Sequence, residues 1–144
     1  MNLYAGQDRD SLRAAWREAW QRRLQGLPLE PLQLLMADLV ALHPEYHALM
    51  RSADAGTAPG SAAGAHEGGN AFLHLALHLA LREQLGADRP SGIAQVHRRL
   101  GAATRDPHEA EHRMIEVLGQ TLWEAQRAGR LPDEQRYLEA LRRL

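Results

Sequence analysis

Cysteine is absent from the 144-residue chain. This excludes disulfide bonds, thiolate metal sites and a cysteine nucleophile, and it fits the reducing environment of the cytoplasm. Long apolar runs are also lacking, since none reaches the ~18 residues of a membrane-spanning helix. The first ten residues contain no apolar stretch of the kind that marks a secretory signal. We therefore expect a cytoplasmic protein that has no membrane partner.

Neither sign of charge is in excess. The formal net charge is −1, from 17 basic and 18 acidic residues, so nothing indicates a nucleic-acid partner. Aromatic residues make up only 5% of the chain, whereas alanine, leucine, glutamate, glutamine and arginine are abundant, which favours helices. We predict an all-α single domain, residues 1–144, built as a bundle of about five to six helices.

Apolar periodicity and capping residues predict where the helices lie. The predicted ranges are 8–25, 31–42, 71–85, 91–103, 107–128 and 131–144, and Asn70 is the predicted cap of the third. Pro44 can also open a short helix that ends near Arg51. Residues 53–69 are rich in Gly, Ala and Ser, which predicts a flexible loop. We expect this loop to lie within one domain, because neither flank alone has enough apolar helix for a core.

The centre of the predicted bundle is the helix that follows Asn70. From Ala71 to Leu81 every residue except His74 and His78 is apolar, and a helix that is apolar on all sides is a buried helix. Residues four apart lie on one helix face, one turn from each other. The stretch therefore predicts two imidazoles that point into the interior of the protein.

The predicted helix 107–128 carries further polar side chains near its apolar face. Glu111 falls in the middle of that face, and His108 and His112 fall at one edge. A buried charged carboxylate is costly unless it is paired or bound to a metal. Without thiolates, imidazole and carboxylate are the usual protein ligands of zinc, iron and manganese, and helical bundles project them inward at such spacings.

These patterns predict a helical bundle with an interior metal site. The site could hold one ion or a pair of ions, and the metal is iron, manganese or zinc. A redox-active pair would suggest oxygen chemistry, whereas one zinc with four protein ligands would suggest a structural role. The predicted ligands are His74, His78, His108, Glu111, His112 and His47. His43 is the alternative to His47.

Two interpretations without a metal stay open. In the first, Glu111 accepts a hydrogen bond from His74, His78 or His112, and the cluster is a buried polar network that only stabilises the fold. In the second, the protein is an interaction module, and its partner surface is formed in part by three tryptophans, Trp16, Trp20 and Trp123. The apolar helices could also be completed by a second copy of the chain, which would make a homodimer.

The stretch 108–112, His-Glu-Ala-Glu-His, matches the helical zinc-peptidase signature literally. We expect no peptidase, because Glu109 points away from the apolar face and the sequence offers no evident third ligand or substrate-cleft strand.

Several of these stretches resemble the signature of an uncharacterised bacterial family, domain of unknown function 1841. The stretches that carry the resemblance are 43–47, 70–84, 88–93, 108–114, 122–127 and 132–133. The similarity covers nearly the whole chain except 53–69, although the family pattern has proline where this chain has Ala71. It implies a small bacterial helical protein and no particular activity.

Overall fold

The computed structural model describes residues 9–51 and 62–144, with side chains from residue 71 onward in the second range. These ranges form seven helices and contain no strand, which confirms the all-α prediction and gives slightly more helices than expected. Six are α-helices, and a 3-10 helix, Pro44–Met50, lies between the second and the third. The α-helices are α1 (Arg9–Leu24), α2 (Pro31–Ala41), α3 (Ala62–Ala87), α4 (Ile93–Thr104), α5 (Pro107–Arg127) and α6 (Glu134–Arg142).

Most helix ends lie where short-range signals predict them. The Asp106 side chain accepts a hydrogen bond from the backbone nitrogen of His108 at 3.0 Å and caps α5. Asp133 caps α6 in the same way, so that helix begins after Asp133 and not at 131. At the C-terminal side of α5, Gly129 has a φ of +65°, a conformation that glycine adopts without strain.

The start of α3 differs from the prediction. α3 begins at Ala62, so residues 62–69 are helical where the sequence had predicted a loop, and Asn70 lies inside the helix. The alanines of this stretch are the strongest helix formers, and extending an existing helix needs no new nucleus. The rest of the predicted loop, 53–61, and the first residue of the predicted helix 8–25 lie outside the described residues.

The chain groups into two compact units, residues 1–76 and 77–144, and α3 contributes to both. In the first unit, α1 and α2 pack against each other and against the 3-10 helix. Trp16 and Trp20 are buried there, so they do not form the exposed partner surface of the interaction-module hypothesis. The other large buried side chains of these three helices are Met36, Leu39, Val40 and Met50.

In the second unit, α4, α5 and α6 pack pairwise. The Tyr137 hydroxyl donates a hydrogen bond to the side-chain oxygen of Gln84 at 2.7 Å and so links α6 to α3. Trp123 is 51% exposed, with the Arg127 guanidinium over its ring. The core is formed by Ile93, Val96, Leu100, Met114, Ile115, Leu118, Leu138 and Leu141. Among the described residues, no helix has the length and apolarity needed to cross a membrane.

Candidate metal centre

The histidines of α3 lie in the middle of its apolar run, as the sequence predicts. His78 is fully buried and His74 is half-buried. Because both belong to one α-helix, they lie on the same face, one turn apart. Each of them contacts further side chains of its own unit.

In the first unit, His43 contacts His74. Pro44 disfavours helix at the residue before it, and His43 accordingly lies outside α2 and is the N-cap residue of the 3-10 helix. Its Nδ1 donates a hydrogen bond to the Leu39 carbonyl at 2.7 Å, so the Nε2 of a neutral His43 carries a lone pair. That Nε2 lies 3.0 Å from the Nε2 of His74.

In the second unit, His78 contacts Glu111. The distance from His78 Nε2 to Glu111 Oε1 is 3.1 Å, and an ionised carboxylate can only accept, so Nε2–H is the donor. Burial lowers the pKa of His78, an effect that the hydrogen bond to Glu111 only partly opposes. A neutral His78 with its proton on Nε2 has its lone pair on Nδ1.

Glu111 is a buried carboxylate whose charge is compensated. Burial alone would raise its pKa, but the hydrogen bond from His78 and the guanidinium of Arg82 outweigh that effect and lower the pKa to about 2. Arg82 Nε donates to Oε1, and Arg82 Nη2 lies 3.4 Å from Oε2. His97 Nε2 is 3.6 Å from Oε2. Glu111 is therefore ionised at neutral pH and surrounded by donors.

The first two turns of α5 add two more imidazoles. His108 and His112 lie one turn apart, and their ring centroids are 4.1 Å from each other. The His78 ring lies 5.5 Å from each of them. Three imidazole rings of the second unit are therefore in mutual contact, as expected if the apolar face of α5 is turned inward.

Some of these rings approach closely enough to share an ion. Within each unit, one pair of histidines has ligand nitrogens within 4.8 Å of each other: His43 with His74 in the first, and His78 with His112 in the second. All four are buried or half-buried. This group of histidines could hold a metal ion.

Among the predicted site residues, His47 is placed elsewhere. Its Nε2 donates to the Val40 carbonyl at 2.9 Å, and its ring packs against Trp20. The alternative, His43, contacts His74 instead. Arg82, which contacts Glu111, is not among the predicted site residues. Its position four residues after His78 on one helix face is the signal that could have found it.

The zinc-peptidase interpretation gains no support from the geometry. Glu109 is exposed and forms an ion pair with Arg113 at 2.9 Å. Its carboxylate is therefore turned away from the buried face that carries Glu111, as the helical spacing predicts.

Comparison with protein families decides the classification of the chain. The family model of a domain of unknown function, DUF1841, matches residues 8–143. The chain belongs to the DUF1841 family. No curated protein and no solved structure matches it. The DUF1841 description assigns no activity, so the function is inferred from the geometry of the histidines.

Proposed function

We propose that this protein binds a transition-metal ion through imidazoles. The candidate ligands are His43 and His74 in the first unit and His78 and His112 in the second. The observation that carries the proposal is the 3.0 Å separation of His43 Nε2 and His74 Nε2. It is supported by the second pair of neighbouring nitrogens, on His78 and His112.

The 3.0 Å separation fits two ligands of one ion. Nitrogens bound at about 2.0–2.1 Å lie about 2.8–3.4 Å apart for coordination angles between 90° and tetrahedral. The hydrogen bond of His43 to the Leu39 carbonyl leaves its Nε2 as the coordinating atom. Metal binding then requires that His74 also presents a lone pair, so the proton between the two nitrogens is released.

The chemistry of the donors narrows the choice of metal. Imidazole nitrogens suit zinc and iron, whereas manganese prefers carboxylate and water oxygens. A pair of ions in a helical bundle is usually bridged and held by several carboxylates, and Glu111 is engaged by Arg82 and His78. We therefore propose one zinc or iron ion rather than a pair. Zinc with four protein ligands would be structural, whereas iron would allow redox chemistry.

A metal-free role is the second candidate, and one observation favours it. His78, Glu111 and Arg82 satisfy one another by hydrogen bonds and ion pairing without an ion. In that case the cluster is a buried polar network, which can specify a unique packing of the helices.

Elemental analysis of untagged protein purified without chelator tests the proposal. We expect near-stoichiometric zinc or iron in the wild type, and loss of that metal in His78→Ala. His47→Gln is the matched control, because His47 contacts Val40 and Trp20, and it should retain the metal. Metal far below stoichiometry, also after aerobic and anaerobic reconstitution, would contradict metal binding.

A further inference from the structure

We infer that Glu111 orients His78 and does not bind the ion, and that Arg82 holds Glu111 in this positioning role. The inference rests on the proposed metal binding and assigns a function to the carboxylate that the sequence had placed among the ligands. Its basis is the hydrogen-bonded series from Arg82 through Glu111 to His78.

Both carboxylate oxygens of Glu111 are already engaged. Oε1 accepts from His78 Nε2 and from Arg82 Nε, and Oε2 faces Arg82 Nη2 at 3.4 Å and His97 Nε2 at 3.6 Å. Coordination of an ion by Glu111 would break at least one of these contacts in a site where the carboxylate is almost fully buried. A buried charge that loses its partner is strongly unfavourable.

The contact to Glu111 decides which nitrogen of His78 can bind a metal. Because Nε2–H is donated to the carboxylate, the ligand atom is Nδ1. A metal-bound histidine commonly donates its other N–H to a carboxylate, which fixes the ring and makes the coordinating nitrogen more basic. His43 is held by the Leu39 carbonyl through Nδ1 and coordinates through Nε2.

Arg82 acts one step farther from the ion. It follows His78 by four residues on α3, and its side chain is only 29% exposed. Its guanidinium compensates the charge of Glu111 and fixes the carboxylate beside His78. Its loss should weaken metal binding without removing a ligand.

These roles can be tested by measuring the zinc affinity of matched variants in competition with a chromogenic chelator. We expect Glu111→Gln to bind zinc about 10–100-fold more weakly than the wild type, and Arg82→Gln to weaken binding in the same direction. The matched controls are Glu109→Gln and Arg113→Gln, which alter the exposed ion pair on α5 and should keep wild-type affinity. Circular dichroism of the metal-free variants shows whether each is folded.

The ligand atom of His78 is read directly in the wild type, without any variant. Long-range proton–nitrogen NMR spectra of the zinc-loaded protein distinguish the two ring nitrogens. We expect zinc on Nδ1 of His78 and a proton on Nε2.

The outcomes separate this inference from the proposed function. Zinc on Nε2 of His78, or wild-type affinity in a folded Glu111→Gln variant, would overturn the positioning role while metal binding stands. A wild type that takes up no zinc would contradict the proposed function itself.

Discussion

At the scale of single residues, hydrogen bonding determines what each buried polar group can do. His43 and His78 are both buried imidazoles, but one is held by a carbonyl through Nδ1 and the other by a carboxylate through Nε2. Spacing along a helix predicts that such side chains face inward. It does not predict which ring nitrogen is engaged, because the partner comes from a different turn or helix.

Tyr137 allows a test at this scale that is independent of the metal. Burial raises its pKa above the ordinary value, so folding favours the protonated phenol. Its contribution to stability is complete below about pH 10, the pKa of an unperturbed tyrosine, and is lost as the pH rises through the higher folded-state value. We expect Tyr137→Phe to show a weaker alkaline loss of stability than the wild type.

Urea unfolding at neutral and alkaline pH measures this effect. At neutral pH, Tyr137→Phe should lose about 1 kcal/mol, because the hydrogen bond to Gln84 is removed. The same alkaline slope in both proteins would contradict the assignment to Tyr137.

At the scale of helices, capping residues and prolines predicted where a helix begins better than local composition did. Asp106 followed by Pro107 predicted the start of α5, because the cap and the proline act within one turn. The Gly/Ala-rich stretch before Asn70 predicted a loop from composition alone, and the structure has helix from Ala62. The sequence also did not predict that His43 rather than His47 contacts His74, because that contact depends on how the helices pack and not on the neighbouring proline.

The cap of α5 yields a prediction about that helix alone. Asp106→Ala should lower the free energy of unfolding by about 1 kcal/mol, since the backbone nitrogen of His108 loses its acceptor. Asp106→Asn should recover most of that loss, because asparagine is also a good cap. Denaturant unfolding of the two metal-free variants measures the difference, and equal stability of Asp106→Ala and the wild type would contradict the capping role.

Two glycines in open surroundings should respond in opposite directions to the same substitution. A Cβ at Gly101, inside α4, or at Gly129, after α5, meets no atom within 4 Å. Gly101→Ala should stabilise by about 0.5–1 kcal/mol, because alanine loses less backbone entropy in a helix. Gly129→Ala should destabilise by about 1–2 kcal/mol, because its φ is +65°. Thermal unfolding compares them, and shifts of the same sign would contradict this account of the backbone.

At the scale of the whole molecule, the two candidate functions predict different stability. An ion that binds only the folded chain stabilises it by about 2.7 kcal/mol at a free concentration of 100 times its Kd. We expect zinc or iron to raise Tm reversibly and a chelator to reverse the rise. If the cluster is a metal-free polar network, neither the metal nor the chelator should change Tm.

Acid should remove that stabilisation, because protons compete with the ion for the same imidazole nitrogens. The metal-dependent part of Tm should be complete near neutral pH and decline at a pH below the ordinary histidine pKa of about 6.5, because burial lowers the pKa of His78 and protons must displace the ion. Chelator-treated protein scanned over the same range is the control, since it reports every other titrating group. The difference between the two series isolates the ligands, and a difference that does not decrease on acidification would contradict coordination by histidine.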